Sequence, residues 1–417
     1  MLRFVQGDLA AVLRVPAFRR YSTSRIAAAV GQSMLQAIIA WQVYALSGSA
    51  LDLGLVGLVR FVPALLLSFV SGVIVDTYDR RLILLGAQAI PALTSTLMLV
   101  AIASGNASLP MVYGLVFFAG VASAFEGPAR QTMIPALVPR NLFSRAMTFN
   151  STLQSLSSVT GPALGGALIA LDGIGLGYSA HLGLVLLSML VLWPVHTPRA
   201  RSSRPSRAGV RLDAIREGLR FLKNQPVVLG AMTLDMFAVL FGGAKALLPI
   251  YAVSILHADA AGYGVLTASL DVGSLIAAAI MVGLPVPRHT GRALLGSVVA
   301  YGLATMAFGL STWLPLSVIA YAAVGAADQV SVVMRLNTIQ LAIPDELRGR
   351  VTAVNFVFVN ASNQIGGLES GLVATLTTAV FAVVSGGAAC LVVVGVVAAR
   401  IPQLREYQAR HALAART

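Results

Sequence analysis

The stretch Gly72-Val73-Ile74-Val75-Asp76-Thr77-Tyr78-Asp79-Arg80-Arg81 lies between two long apolar runs, 53–75 and 82–104. Its charged end cannot face lipid, because a membrane core offers no hydrogen-bond partners to charges or to an open backbone. We therefore place this loop at a membrane surface, between two spanning helices. Its glycine predicts a close approach of two helices, and its acidic and basic side chains predict charged contacts at that surface.

The composition of the whole chain indicates a polytopic membrane protein. Of the 417 residues, 57% are hydrophobic and 11% are charged, whereas a soluble domain carries about 25% charged residues. Twelve apolar runs are each about the 20 residues that a spanning helix needs. They cover 26–46, 53–75, 82–104, 110–129, 147–171, 174–194, 228–253, 262–284, 293–312, 315–334, 351–373 and 376–399.

The positive charge follows the predicted topology, which argues against nucleic acid as the partner of a chain with net charge +13. With both termini in the cytoplasm, 27 of the 29 Lys and Arg residues lie in cytoplasmic segments. The two exceptions, Arg60 and Lys245, lie inside predicted helices. This distribution is the positive-inside rule. It predicts a multi-pass membrane protein with both termini in the cytoplasm.

The same pattern divides the chain into five segments. Residues 1–25 form a basic amphipathic segment on the cytoplasmic face, and residues 195–227 form a basic cytoplasmic linker whose second part is an amphipathic surface helix. Between them lies a first six-helix bundle, 26–194. A second six-helix bundle, 228–400, and a cytoplasmic tail, 401–417, complete the chain.

The two halves repeat each other in their loop motifs. Five residues of the first half recur 205 residues later: Arg130, Pro139, Leu142, Arg145 and Asn150 match Arg335, Pro344, Leu347, Arg350 and Asn355. Gly72 and Arg81 recur as Gly283 and Arg292. Parallel six-helix repeats predict an all-α membrane protein of two pseudo-symmetric bundles, with a substrate site between the halves.

These motifs resemble those of the major facilitator superfamily, in the bacterial branch that includes the enterobactin exporter and macrolide efflux proteins. The loop at 72–81 is similar to the family signature between helices 2 and 3, with Asp79 in place of a second glycine. Short sequence motifs in helices 1, 4, 7 and 11 extend the resemblance over nearly the whole chain. It implies a cytoplasmic gate made of Gly72, Asp76, Asp79, Arg80, Arg81, Arg130, Arg292, Arg335 and Arg350.

A further motif in helix 5 resembles the antiporter signature of the family. It comprises Gly161, Pro162, Gly165 and Gly166. The proline removes one backbone hydrogen bond, and the glycines thin the helix for close packing. The resemblance implies proton-coupled export. An ordinary glycine packing face is the alternative.

Ionisable residues inside spanning helices are candidates for the functional site. Asp235 and Asp328 are the first candidates for proton coupling, and Glu126 and Glu369 follow them. Each could instead cap a broken helix or hold a polar neighbour. The candidates for substrate contact or interior ion pairing are Arg60, Lys245, Asp271, Asn360, Asn363 and Gln364.

Lys245 and Asp271 depart from the usual pattern of the family, and both lie about 12–14 Å below the outer surface if their helices are regular. We therefore expect an interior ion pair or a charged substrate contact. A purely structural pair is the alternative, since buried pairs are weak evidence of stability.

The sequence thus predicts a secondary transporter that exports an amphipathic drug or siderophore in exchange for protons, by alternating access. Uptake of a small anion or metabolite is the alternative suggested by Arg60 and Lys245. A membrane sensor or lipid scramblase on the same fold is a second alternative. No nucleotide-binding loop, catalytic constellation or metal-ligand cluster is evident in the sequence, so we expect no enzymatic activity, cofactor or metal, and a monomer.

Overall fold

A computed structural model describes residues 12–195, 225–285, 287–343 and 345–408. The predicted amphipathic helix of the linker lies outside the described residues. The first helices are α1 (Pro16–Ser47), α2 (Ala50–Thr77), α3 (Arg80–Ala103), α4 (Leu109–Leu137) and α5 (Phe143–Leu192), with a 3₁₀ turn at Arg140–Leu142. There follow α6 (Pro226–Phe241), α7 (Ala260–Gly283), α8 (Thr290–Leu310), α9 (Leu314–Ala342), α10 (Asp345–Leu376), α11 (Ala379–Arg400) and α12 (Pro402–Glu406).

The architecture is helical throughout the described residues, which confirms the predicted all-α class. Ten of the described segments are long and apolar enough to cross a membrane. The longest of them contains α5, which has non-helical backbone angles at Asp172 and Gly173. This break lies where the sequence separates its fifth and sixth runs. The count of twelve spanning helices stays a prediction.

The first helix begins earlier than the boundary predicted at residue 25 between the N-terminal segment and the first bundle. It begins at Pro16, a residue type that suits the first turn of a helix because its missing N–H would have no partner there. Phe18 and Tyr21 are buried and pack in a core with Leu84, Ala129 and neighbouring residues. Residues 16–25 are therefore an extension of the first helix with buried aromatic side chains.

The chain forms two compact units. The first comprises Met1–Ser47 and Val59–Gly209, and the second comprises Gly48–Leu58 and Val210–Thr417. Residues 48–58 thus pack with the second unit, although the sequence assigns them to the first bundle. Small residues allow this close packing. A Cβ atom on Gly54 would lie only 2.7 Å from the Gly367 carbonyl oxygen.

Hydrogen bonds between polar side chains join three helices of the first unit. The Ser24 and Ser188 hydroxyls lie 2.8 Å apart, the Ser95 hydroxyl lies 2.6 Å from His181 Nδ1, and the Tyr178 hydroxyl donates to Gln42. Such contacts stabilise helix association where apolar burial against lipid contributes little. They fix α1, α3 and the second half of α5 against one another.

The second unit has an aromatic core next to a broken helix. The Phe308 ring centroid lies 4.7 Å from that of Tyr251 and 4.8 Å from that of Tyr321. Tyr251 lies in a π-turn, Tyr251–Ile255, that follows the end of α6. The predicted span at 228–253 lies within one segment, Pro226–Ile255, that is long and apolar enough to cross a membrane, but it is not a regular helix. Helix α6 ends at Phe241, and the chain continues as a 3₁₀ turn, Ala244–Leu247, and a short helical turn, Leu248–Ile250.

Candidate functional site

Charged residues of the loop at 72–81 make contacts within the first unit, as the sequence predicts. Asp79 caps α3 by accepting a hydrogen bond from the Arg81 N–H at 2.9 Å. Arg80 donates to the Thr132 carbonyl, and Arg81 donates to the Trp193 carbonyl. Two loop arginines therefore hold the C-terminal ends of α4 and α5.

The glycine of this loop does not mediate a close helix contact. A Cβ atom on Gly72 would meet no described atom within 4 Å, so the expected close approach there is wrong. Close packing lies instead at the helix 5 motif, where a Cβ atom on Gly161 would lie 2.5 Å from Ser33 Cβ and 2.8 Å from the Met34 nitrogen. Gly165 faces Met34 from one turn further along α5. The predicted thinning of α5 is thus seen against α1, and Pro162 and Gly166 of the same motif are buried.

Arg130 and Arg335, which repeat 205 residues apart, are both buried and both paired with a carboxylate. Arg130 forms an ion pair with Glu126 one turn earlier on α4. Arg335 on α9 forms an ion pair with Asp235 on α6. The sequence places all four residues among its candidates, but it does not predict that they pair.

The Asp235–Arg335 pair is the more buried of the two. The side chains are 7% and 4% exposed, and Leu234 and Met334 beside them belong to one apolar cluster. Among the described residues, the Arg335 Nε finds no hydrogen-bond acceptor. The pair is therefore enclosed but incompletely hydrogen-bonded, and either charge left without its partner there would be costly.

The other acidic candidates have no ion pair among the described residues. Asp328 lies on α9 and interacts electrostatically with Tyr301 and Tyr321. Glu369 on α10 accepts a 3.4 Å hydrogen bond from Ser370. Both are partly exposed.

The expected ion pair between Lys245 and Asp271 is absent from the described part of the chain. Lys245 is exposed in the 3₁₀ turn after α6, whereas Asp271 is partly buried on α7. The depth argument fails because it assumes a regular rise through 228–253, and the helix ends before Lys245. Asp271 interacts electrostatically with Tyr321.

The remaining candidates lie at separate places. Asn363 donates to the Val359 carbonyl on its own helix, and a Cβ atom on Gly57 would lie 2.6 Å from the Gln364 Oε1. Asn360 is half-buried, while Asp76 and Arg292 are exposed. The side chain of Arg350 lies outside the described residues. Arg60 lies on α2 and interacts electrostatically with Glu126.

Comparison with known proteins assigns this arrangement to a family. A sequence model of transmembrane secretion effectors, a major facilitator family, matches residues 8–416. The chain belongs to this family. It is 28% identical to the enterobactin exporter EntS of Citrobacter koseri over 389 residues, which cover 91% of this chain and 90% of that protein.

Two further comparisons agree with this assignment. An uncharacterised major facilitator transporter of Bacillus subtilis, YfiS, is 27% identical over 76% of each chain. The crystal structure of the nucleoside transporter NupG has a TM-score of 0.69 at 14% identity and covers 92% of this chain and 99% of that one. The transmembrane secretion effector described here is thus a multi-pass membrane transporter with the major facilitator fold.

Sequence reasoning missed one residue of the first unit, Arg25. It was counted with the basic N-terminal segment because arginines surround it. In the structure Arg25 lies on α1, donates to Asn150 and Gln154 of α5, and interacts electrostatically with Glu126. Its position one turn after Tyr21 on a continuous α1 is the signal that could have identified it.

Proposed function

We propose that this transporter exports an amphipathic organic molecule, a siderophore or a drug, across the inner membrane in exchange for protons. Its termini lie in the cytoplasm and it works by alternating access. Export is supported by the similarity to enterobactin exporters over nine-tenths of both chains. The helix 5 motif, with its close glycine packing against α1, supports the antiporter type.

The observation that carries the proton coupling is the buried Asp235–Arg335 pair. A proton-coupled exporter needs a carboxylate that is ionised in one state and neutral in the other. A neighbouring cation stabilises the ionised form, and burial without that cation stabilises the neutral form. A small displacement between α6 and α9 is therefore enough to change which form is stable.

The proposed cycle uses this pair as the proton site. When Asp235 is paired with Arg335, it holds no proton. When α6 and α9 separate, the carboxylate loses its counter-charge and binds a proton from the outer side. Re-formation of the pair then expels that proton to the cytoplasm. Asp328 lies seven residues before Arg335 on α9, two turns or about 10 Å away, and is the next proton carrier.

The charged loop at 72–81 and its second-half counterpart form the cytoplasmic gate in this proposal. Arg80 and Arg81 support the gate through their hydrogen bonds to α4 and α5. Asp76, which is exposed, supplies an acidic group for contacts that form and break.

The experiment is flux into proteoliposomes with an imposed pH gradient, with radiolabelled enterobactin and the fluorescent cation ethidium as substrates. An antiporter accumulates substrate when the vesicle interior is acidic, whereas a symporter for uptake accumulates it when the exterior is acidic. We expect accumulation with an acidic interior only. Accumulation with an acidic exterior would establish the uptake alternative.

Asp235→Asn then tests the proton site. The variant should lose accumulation driven by the gradient and keep substrate exchange at equal pH, because the amide cannot carry the proton. The matched control is Asp259→Asn, the same chemical change at the exposed cap of α7. Uphill accumulation at the wild-type level in Asp235→Asn contradicts the assignment.

A further inference from the structure

A cluster of arginines surrounds a single carboxylate in the first unit. Arg25 of α1 donates from Nε to Asn150 Oδ1 at 3.4 Å, and one of its terminal nitrogens donates to Gln154 Oε1. Both partners are neutral amides one helical turn apart on α5. They fix the orientation of the guanidinium group but do not neutralise its charge.

The carboxylate of Glu126 is already paired with the arginine nearest to it in sequence. Both Nε and a terminal nitrogen of Arg130 contact the same oxygen, Glu126 Oε1. Arg25 and Arg60 also interact electrostatically with Glu126. Arg130 is thus the arginine that contacts this carboxylate, while Arg25 and Arg60 act on it electrostatically. This cluster of Arg25, Arg60, Arg130 and Glu126 has a net charge of +2.

The packing of α2 against α4 brings Arg60 close to the helix that carries Glu126. A Cβ atom on Gly120 would overlap the Arg60 carbonyl oxygen and would lie 2.8 Å from Pro63 Cγ. Glycine at this position therefore brings the turn of α2 that carries Arg60 against α4. Glu126 lies six residues further along α4.

The described part of the first unit holds three further carboxylates, none of which is seen to pair with the cluster. Among the described residues of this unit, the remaining acidic side chains are Asp76, Asp79 and Asp172. The first two lie at the cytoplasmic loop, and the third lies at the break in α5. The positive charge inside the spanning region is therefore uncompensated by described protein groups of this unit.

The cluster is open on one side. The first half of α5 exposes Thr148, Ser151, Thr152 and Gln154, and Asn150 beside them is half-buried. Charged side chains at membrane depth face the bundle interior or a water-filled cavity. The half-buried Arg25, bonded to the exposed Gln154, is therefore accessible from this side of α5.

We propose that Arg25 binds the anionic group of the exported molecule, a carboxylate or another planar oxyanion, and that Arg60 adds to the positive field at this site. This proposal rests on the export function above and narrows its substrate class to organic anions. The planar guanidinium group matches such oxyanions, because two parallel N–H donors meet two oxygens. Arg130 remains neutralised by Glu126, while the two other arginines supply the charge for the ligand.

The first test compares an acid with its neutral isostere on the wild-type protein. The full-length transporter in detergent is titrated calorimetrically with 2-naphthoate and with 2-naphthamide. We expect the acid to bind at least tenfold more tightly, a difference of about 1.4 kcal/mol. Equal affinity for the two probes overturns the proposal, and this comparison needs no variant to fold.

The second test uses variants that are expected to change 2-naphthoate affinity in opposite directions. Arg25→Gln and Arg60→Gln should each weaken 2-naphthoate binding about tenfold and leave 2-naphthamide unchanged. Glu126→Gln should strengthen 2-naphthoate binding, because it removes the only negative charge in the cluster. A purely structural role of these residues predicts loss in all three variants, and that outcome contradicts the proposal.

Two controls isolate the charge. Arg140→Gln makes the same chemical change at an exposed turn of this unit, and its affinity should stay within twofold of the wild type. Arg25→Lys keeps the charge but loses the two guanidinium donors that bond Asn150 and Gln154. It should therefore retain more affinity than Arg25→Gln. If Arg140→Gln weakens binding as much as Arg25→Gln, the site is not local and the proposal fails.

These binding measurements are independent of transport. A protein that binds 2-naphthoate selectively but moves no substrate in vesicles refutes the export function and leaves the anion site intact. A protein that exports ethidium and shows no preference for the acid refutes the anion site and leaves export intact.

Discussion

Removing one partner of the Asp235–Arg335 pair should strongly destabilise the second unit. Arg335→Met leaves the Asp235 carboxylate, 7% exposed, without its counter-charge. Loss of one partner from a buried pair costs about 3–5 kcal/mol, whereas replacement of both by apolar groups is nearly neutral or stabilising. We therefore expect a loss of about 3–5 kcal/mol for the single variant and recovery of most of it in Asp235→Leu with Arg335→Met.

The measurement is equilibrium unfolding in mixed detergent–SDS micelles, followed by tryptophan fluorescence and circular dichroism. The matched control is Arg292→Met, which removes an exposed arginine of the same unit and should stay within about 0.5 kcal/mol of the wild type. Asp235→Leu is measured alone as well. The reasoning is refuted if the loss in the double variant equals the sum of the losses in Arg335→Met and Asp235→Leu, because additive effects mean that the groups do not interact.

Two further predictions concern packing and topology. Gly161→Ala should destabilise the first unit by about 1–3 kcal/mol, because its Cβ would overlap α1. Gly127→Ala, whose Cβ would meet open space, should not; equal melting temperatures of the two variants would contradict the packing argument. With the native Cys390 buried, a membrane-impermeant maleimide should label Asn106→Cys in intact cells and Arg140→Cys only after permeabilisation; the reverse pattern would invert the topology.

The sequence by itself determined the class of protein, and it predicts the orientation of its segments. Both depend on quantities that are local along the chain: the length of each apolar run relative to the bilayer and the side on which Lys and Arg collect. The 205-residue repeat added the two-bundle organisation. The family follows from motifs that are themselves short and contiguous, such as the loop at 72–81.

Boundaries that depend on packing were predicted less well. The first helix begins at Pro16 because Phe18 and Tyr21 find a core to pack in, and the hydropathy of residues 16–25 does not show this. The helix predicted at 228–253 ends at Phe241. Lys245 is consequently exposed rather than level with Asp271.

Only the tertiary structure decided which charges meet. Arg335 pairs with Asp235 across 100 residues of chain, and Arg25 contacts α5 across more than a hundred. The sequence identifies Asp235 and Arg335 as candidates, because charged groups in spanning helices are costly and rare. It cannot assign their partners, since the direction of a side chain from its helix and the distance between two helices depend on packing of the whole unit.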